Sequence, residues 1–321
     1  MMAEAALAAL IDRGFPYRSA TEYEFNEDET DAIVRTVSYH RKDFDHAVIW
    51  FSPREHHDIR PSIATPFPRS SDVGSGFFDR LPLELFRDIL FRLDIRSLFQ
   101  LRQTNLRARE AVDSLKEYQI IVSHGLNLLC ALLRTDLARD ISLLDFYDVL
   151  CTKTCSICGE FGGFVSLLSW ARCCFRCISR SAPRARVRTL AGVQRQYRMT
   201  QAGREQLRSI KTLPGVYKMS RSVHEGGITI VSHQQAVLIS QHPLKALKRA
   251  GPPNRRLQNP KYNYMGSCAL PYYDKLTGDV EHGMSCAGCK LDKVYSREGL
   301  LEHFKWCKQA QLLWKSTHGG K

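Results

Sequence analysis

The most regular apolar pattern in the chain lies in LPLELFRDILFRL, where Leu85, Ile89, Leu90 and Leu93 recur at three- and four-residue spacing. That period predicts an amphipathic helix, and Pro82 suits its first turn, where a missing N–H costs nothing. A second short helix follows Asp94 and carries Leu98 and Leu101. A third begins near Thr104 and runs through Val112 and Leu115. EYQIIVSH and LNLLCALLRTDLARD predict two further helices broken at Gly125, and Ser142 with Asp145 predicts a cap before DFYDVLC. Upstream, Asn26 is placed to cap a helix whose first turn holds Glu27, Asp28 and Glu29. AVIWF (47–51) suits a short buried strand. His56 and His57 read as plain surface, and the Pro- and Ser-rich stretch 61–76 reads as a linker.

Three short helices in about 40 residues have too little interior to bury their own apolar side chains, so the surplus must meet another surface. The segment FFDRLPLELFRDILFRLDIRSLFQLRQTNLRARE, residues 77–110, resembles an F-box. Leu81-Pro82, Glu84-Leu85, Ile89-Leu90, Leu93-Asp94, Leu98 and Leu101 stand in the motif's places, while the Trp usual in its third helix is Ala108 here. The resemblance implies docking on a Skp adaptor, which bridges to the cullin scaffold of an SCF-type ubiquitin ligase. By position it implies Leu81, Pro82, Leu85, Ile89, Leu93, Leu98 and Leu101 as the docking surface. In layout the whole chain is similar to fungal F-box proteins with Cys-rich regions downstream.

Charge changes the picture of the second half. The 321 residues carry a formal net charge of +13, yet residues 1–75 hold 8 basic and 13 acidic side chains, and 76–150 hold 10 and 11. Residues 151–260 hold 19 basic and 3 acidic side chains, and 261–321 hold 9 and 6, so nearly all the excess lies in one zone. Within it, RARVRTLAGVQRQYRM after Pro183 reads as one helix presenting Arg184, Arg186, Arg188, Arg195 and Arg198. Such a surface attracts acidic or phosphorylated protein segments.

The 11 cysteines include three Cys-x-x-Cys pairs in a chain with no export signal at its start and no apolar run long enough to span a bilayer. They therefore read as metal ligands in a reducing compartment, the cytoplasm and/or nucleus. Cys155-x2-Cys158 and Cys174-x2-Cys177, 15 residues apart, suit a structural zinc ribbon. Gly159 is free to take positive φ, Gly162-Gly163 suits a turn, and 164–170 a returning strand. Cys173 and Cys151 compete as ligands. Cys286-x2-Cys289 with His303-x3-Cys307 resembles a Cys-Cys-His-Cys zinc finger, its last two ligands one helical turn apart. Cys130 reads as packing, and Cys268 is unassigned.

Each four-ligand site is closed, which predicts two structural zinc ions and no catalytic metal. No HExxH, GxSxG or phosphate-binding glycine loop occurs, so a non-catalytic adaptor is expected. The alternative is a nucleic-acid-binding zinc protein. Against it, the finger's base-reading helix positions fall at Ser296, Gly299 and Glu302, none of them a guanine reader. Of the apolar strip Leu301, Phe304, Trp306, Leu312, Leu313 and Trp314, some must serve the finger's own small core, and the remainder suits a protein contact. The expected fold is mostly α with small zinc-stabilised α+β modules: an N-terminal segment (1–60), linker (61–76), F-box (77–116), helical extension (117–150), zinc ribbon (151–180), basic helical region (181–265) and finger (282–316).

Overall fold

In the computed structural model, residues 17–58, 60–64, 81–197, 199–219, 222–240 and 261–318 are described. Helices dominate, with small antiparallel sheets between them. The chain divides into two compact units, one built from residues up to Arg41 and from Gly283 onward, the other from Lys42–His282.

In the larger unit, helices Leu83–Arg92, Ile95–Arg102 and Leu106–Asp113 follow the apolar period. Asp94 and Asn105 cap the second and third, accepting from the amides of Ser97 and Ala108 at 2.9 and 2.8 Å. Helices Lys116–His124, Leu126–Arg134 and Leu143–Leu150 extend the bundle, and Leu128, Phe146 and Leu150 lie wholly inside. The Ser142 hydroxyl receives the Asp145 amide at 3.1 Å, as the capping pattern predicts. A three-stranded sheet then orders Ala171–Cys173, Phe164–Ser166 and Ser267–Ala269. A second orders Val187–Thr189, Thr229–Ser232 and Ser209–Lys211.

Four expectations need correction here. AVIWF is not a strand: Ile49 makes a single bridge to Cys268, and Asn127 takes the neighbouring Phe51 amide at 2.9 Å. His56 is buried edge-on against Phe51, and burial with Arg134 nearby lowers its pKa. The linker expected over 61–76 begins inside a helix, Arg60–Ala64. Its Ser62 and Ile63 carbonyls accept from the Arg102 guanidinium at 2.9 and 3.2 Å. The basic stretch after Pro183 is not one helix. It splits into a turn at Pro183–Ala185, strand Val187–Thr189 and helix Leu190–Gln196, so the described residues of 181–265 mix helices and strands. The cause is tertiary: β-branched Val187 and Thr189 pair with Ser232 and Ile230, and that ladder overrides local helix propensity.

The smaller unit joins sequence-distant segments. Helix Thr30–Val37 buries Ile33, Val34 and Val37 in one cluster with Leu300, Phe304, Ala310 and Trp314. Tyr23 and Phe25 meet the Phe304 ring edge-on at 5.2 and 5.8 Å. Strand Ser38–Tyr39 pairs with Ser285–Cys286, and the Ala287 amide donates to the Val37 carbonyl at 2.9 Å. Residues 1–60 are therefore not one segment, since they divide between the units at Arg41.

Candidate functional site

Helix Leu83–Arg92 is exposed along much of its length. Leu85 and Ile89 stand 55% and 40% exposed, one turn apart, while Leu90, about 100° round the helix from Ile89, is buried. Pro82 is exposed, and Leu81, Leu93 and Leu101 are half-buried at the edge of this face. Leu98 departs from the rest of the expected docking set. It is only 1% exposed and supports the surface from below. Ala108, where a Trp is usual, is also buried. Arg102 and Asp113, both buried, make a paired hydrogen bond at 2.6 and 3.1 Å that ties the second helix to the third. Breaking such a pair strands a buried charge, so it fixes the helices that carry the exposed face.

The two cysteine-rich motifs each gather their four donors, all within 4.8 Å of one another: Cys155, Cys158, Cys174 and Cys177, then Cys286, Cys289, His303 and Cys307. Tetrahedral zinc with Zn–S near 2.3 Å and Zn–N near 2.0 Å places sulfurs about 3.8 Å apart, and sulfur and nitrogen about 3.5 Å apart. The Cys158 and Cys174 sulfurs are separated by 3.6 Å, those of Cys286 and Cys307 by 4.0 Å, and Cys289 Sγ from His303 Nε2 by 3.5 Å. The donor sets fit zinc.

The Cys-x-x-Cys turns that open the two centres, at 155–158 and 286–289, share one geometry. The residue after each pair takes positive φ, Gly159 at 76° and Lys290 at 51°. Each sends its amide back to the first cysteine's carbonyl, at 2.9 and 3.1 Å. A Cβ on Gly162 would lie 3.0 Å from the Cys155 amide nitrogen, and one on Gly288 would lie 2.5 Å from that of Ala310, so both loops pack too closely for a side chain. Crowding of the sulfurs lowers thiol pKa values in each set. Hydrogen bonds from the neighbouring ligand cysteines hold Cys155 below the usual thiol range, and Cys158 is lowered too. Cys289 and Cys307 hold Cys286 down in the same way. In the second centre, Tyr295 Oη lies 3.2 Å from His303 Nδ1, so a proton on Nδ1 leaves Nε2 free to face the metal.

The structure also decides between competing cysteines. Cys174 joins the first centre, whereas Cys173 turns away toward the Ala171 carbonyl at 3.5 Å, its thiol pushed up to about 12 by burial. Cys151 lies outside the cluster and interacts with Tyr147. Cys130 is buried as packing, and Cys268 is buried beside Asn127, which donates to its sulfur at 3.1 Å.

Composition and spacing did not flag the polar anchors that hold the ribbon. Arg172, 2% exposed, donates to the carbonyls of Thr152, Leu270 and Pro271 at 2.8, 2.6 and 2.6 Å, and burial lowers its pKa to about 9. Asn263 accepts from the Val187 amide at 2.8 Å and donates to Ile178 and Ser181 at 3.0 and 2.8 Å. Arg172 reaches Leu270 and Pro271 across 98 and 99 positions and Asn263 reaches its partners across 76 to 85, beyond any local motif.

The expected arginine surface does not hold as a set. Arg184 and Arg195 are exposed, Arg188 is half-buried, Arg186 is buried beside Ser181, and Arg198 lies outside the described residues. The finger's apolar strip is largely consumed by its own unit: Phe304 and Trp314 are buried, and the Arg18 guanidinium sits 4.6 Å over the Trp306 ring. No helix among the described residues is long and apolar enough to cross a membrane.

No curated protein and no solved structure matches the chain. One family does, over the helices whose exposed leucines are described above. Residues 78–120 match the F-box domain, and with that domain the chain is an F-box protein.

Proposed function

We infer that the protein is a substrate-recognition adaptor of an SCF-type ubiquitin ligase, docking on the Skp adaptor through residues 78–120 and itself non-catalytic. F-box domains bind the Skp adaptor, which connects them to the cullin scaffold. The observation that carries the reading is the exposed pair Leu85 and Ile89 on a helix whose other face is packed. A folded domain that leaves two motif leucine-type side chains in water, one turn apart, is shaped for a protein partner.

The zinc-bound regions and the basic zone are the substrate-holding part of this reading, in the cytoplasm and/or nucleus. Exposed Arg184 and Arg195, in a stretch poor in acids, support capture of an acidic or phosphorylated protein segment. The nucleic-acid alternative is disfavoured by the finger helix. There Ser296 caps the Gly299 amide at 3.0 Å and Glu302 pairs with Lys305 at 3.0 Å.

The test is binding of the purified full chain to purified Skp adaptor. The double variant Pro82→Ala, Leu85→Ala, with an unchanged thermal melt, is expected to lose most of its affinity. A folded double variant that binds like the wild type overturns the docking assignment. Arg184→Glu with Arg195→Glu is expected to weaken substrate retention and leave adaptor binding intact.

A further inference from the structure

Two short strands of the larger unit, Gly215–Val216 and Val223–His224, pair antiparallel, with Val216 directly opposite Val223 and Gly215 opposite His224. Opposed side chains share a face, and successive ones alternate between faces. The inner side is occupied: Tyr217 is buried, stacks on the His224 ring and donates its hydroxyl to the Leu213 carbonyl at 2.9 Å. Val216 and Val223 lie together on the other face, 36% and 72% exposed. A solvated sheet face ordinarily carries polar side chains, and this one carries a valine pair. The hairpin is anchored. The Lys218 amide donates to the Ala47 carbonyl at 3.0 Å, and the Lys261 ammonium lies 2.8 Å from His224 Nδ1. Lys218 and Met219, which open the turn, take left-handed φ of 58° and 55°, a conformation that costs side-chain-bearing residues energy and persists only where the surroundings impose it.

Charge names the occupant. Residues 206–273 hold ten basic side chains and one acidic, Glu225. Lys211 and Lys218 are exposed, and neither has an acidic partner among the described residues. We propose that the valine pair is a docking face for an extended protein segment that carries acidic side chains beside a bulky apolar one. The valines take the apolar side chain out of water, and the lysines draw in the carboxylates and fix which segments are accepted. Nucleic acid answers to the same charge, but a face of two valines offers its bases nothing to stack on. A second copy of the chain would bring the same positive stretch against this one, as would residues 241–260, which hold five basic side chains and no acidic one. The proposal rests on the adaptor reading, in which this part of the chain holds the substrate, and names the chemistry of the substrate segment.

The test is selection of a random peptide library on the purified full chain, followed by fluorescence anisotropy of an enriched peptide. Threonine replaces valine with nearly the same shape and the same strand preference, so Val216→Thr with Val223→Thr removes the apolar pair and keeps the hairpin. Variants are compared at unchanged melts and zinc content. Enriched peptides are expected to combine acidic residues with a bulky apolar one. The double threonine variant is expected to bind them at least tenfold more weakly, Val223→Thr alone severalfold, and Lys211→Glu with Lys218→Glu severalfold with a flatter salt dependence. Leu312→Thr, at an exposed leucine of the other unit, should change nothing. Enrichment of no such peptide, or equal binding by the double threonine variant, overturns the proposal. Self-association of the wild type that the double threonine variant loses assigns the face to a second copy and also overturns it. Skp adaptor binding is measured in parallel. Adaptor binding without peptide enrichment leaves the adaptor reading standing, whereas valine-dependent peptide binding without adaptor binding overturns that reading and leaves the docking face.

Discussion

The two metal centres use the same turn and differ in where the ligands stand relative to the apolar core. In the ribbon, the ligands Cys155, Cys174 and Cys177 cluster with Ile157 and Ala182, while Phe164, Val165, Phe175 and Ile178 are buried in the larger unit, Phe175 stacked on Phe44 at 3.9 Å. The finger's ligands share one cluster with Leu300, Phe304, Ala310 and Trp314 and with Ile33, Val34 and Val37. The ribbon is held by its metal, by that packing and by hydrogen bonds to buried Arg172 and Asn263. In the finger the packing runs through the ligands themselves. Similar ligand spacing does not imply a similar setting in the core.

The largest effect that separates them is loss of the metal. Structural zinc contributes on the order of 10 kcal/mol in small units. Cys174→Ser and Cys307→Ser are each expected to reduce two zinc ions per chain to one by elemental analysis, with Cys130→Ser unchanged. By hydrogen exchange, Cys174→Ser should open the loops that carry the ligands and leave the central strand Phe164–Ser166 protected, whereas Cys307→Ser should loosen helix Arg297–Trp306, whose buried residues share one cluster with the ligands. Lost protection in strand Phe164–Ser166 breaks the comparison.

Removing the finger's core instead of its metal should act on one unit alone. Phe304→Ala empties a fully buried site and is expected to cost about 3–5 kcal/mol in the smaller unit. The ribbon should be untouched by hydrogen exchange. Protection lost in both units would show that they do not unfold separately.

A smaller, pH-dependent effect belongs to the larger unit. Buried His233 lies 2.9 Å from Tyr197 Oη, and burial with Arg186 and Arg188 nearby lowers its pKa to about 4. The folded state resists protonation and the unfolded state does not, so the unfolded chain binds the extra proton first. His233 therefore contributes stability that is present above the unfolded pKa of about 6.5 and is lost as pH falls toward 4. The loss is on the order of 3 kcal/mol. His233→Gln should flatten the melt-versus-pH curve over that window; a wild-type slope in the variant rules this source out.

The smallest effect lies in the shared turn. Lys290 takes the left-handed conformation that Gly159 takes in the ribbon, at a cost an L-residue bears and glycine avoids. Lys290→Gly is expected to stabilise the finger by about 1 kcal/mol and Gly159→Ala to destabilise the ribbon by a similar amount, both read as shifts in denaturant midpoint.

What sequence reading recovered follows from range. Both ligand sets, the helical period of the F-box leucines and the cap at Ser142 are local signals, and the structure bears each out. The reading failed where a distant partner decided the outcome. Val187 and Thr189 joined a strand 40 residues away, Arg186 was drawn inside, and helix Arg60–Ala64 was pinned by Arg102. The N-terminal cover of the finger was missed for the same reason. The helix expected after Asn26 was legible from its acidic first turn, which says nothing of what its apolar side meets. The β-branched alternation at 187 and 189 was the one local clue to the lost strand.

The distance between the halves of the smaller unit imposes an order in time. Residues 17–41 are synthesised before any part of 283–318 exists, and Lys42–His282 must be translated in between. At about 5–20 residues per second that delay is on the order of 10–50 s. Throughout it Ile33, Val34, Val37, Tyr23 and Phe25 have no core to enter, while the intervening unit can already fold. The clasp of the two segments is thus the last piece to form. A nascent or prematurely ended chain displays those side chains as the mark of an unfinished product.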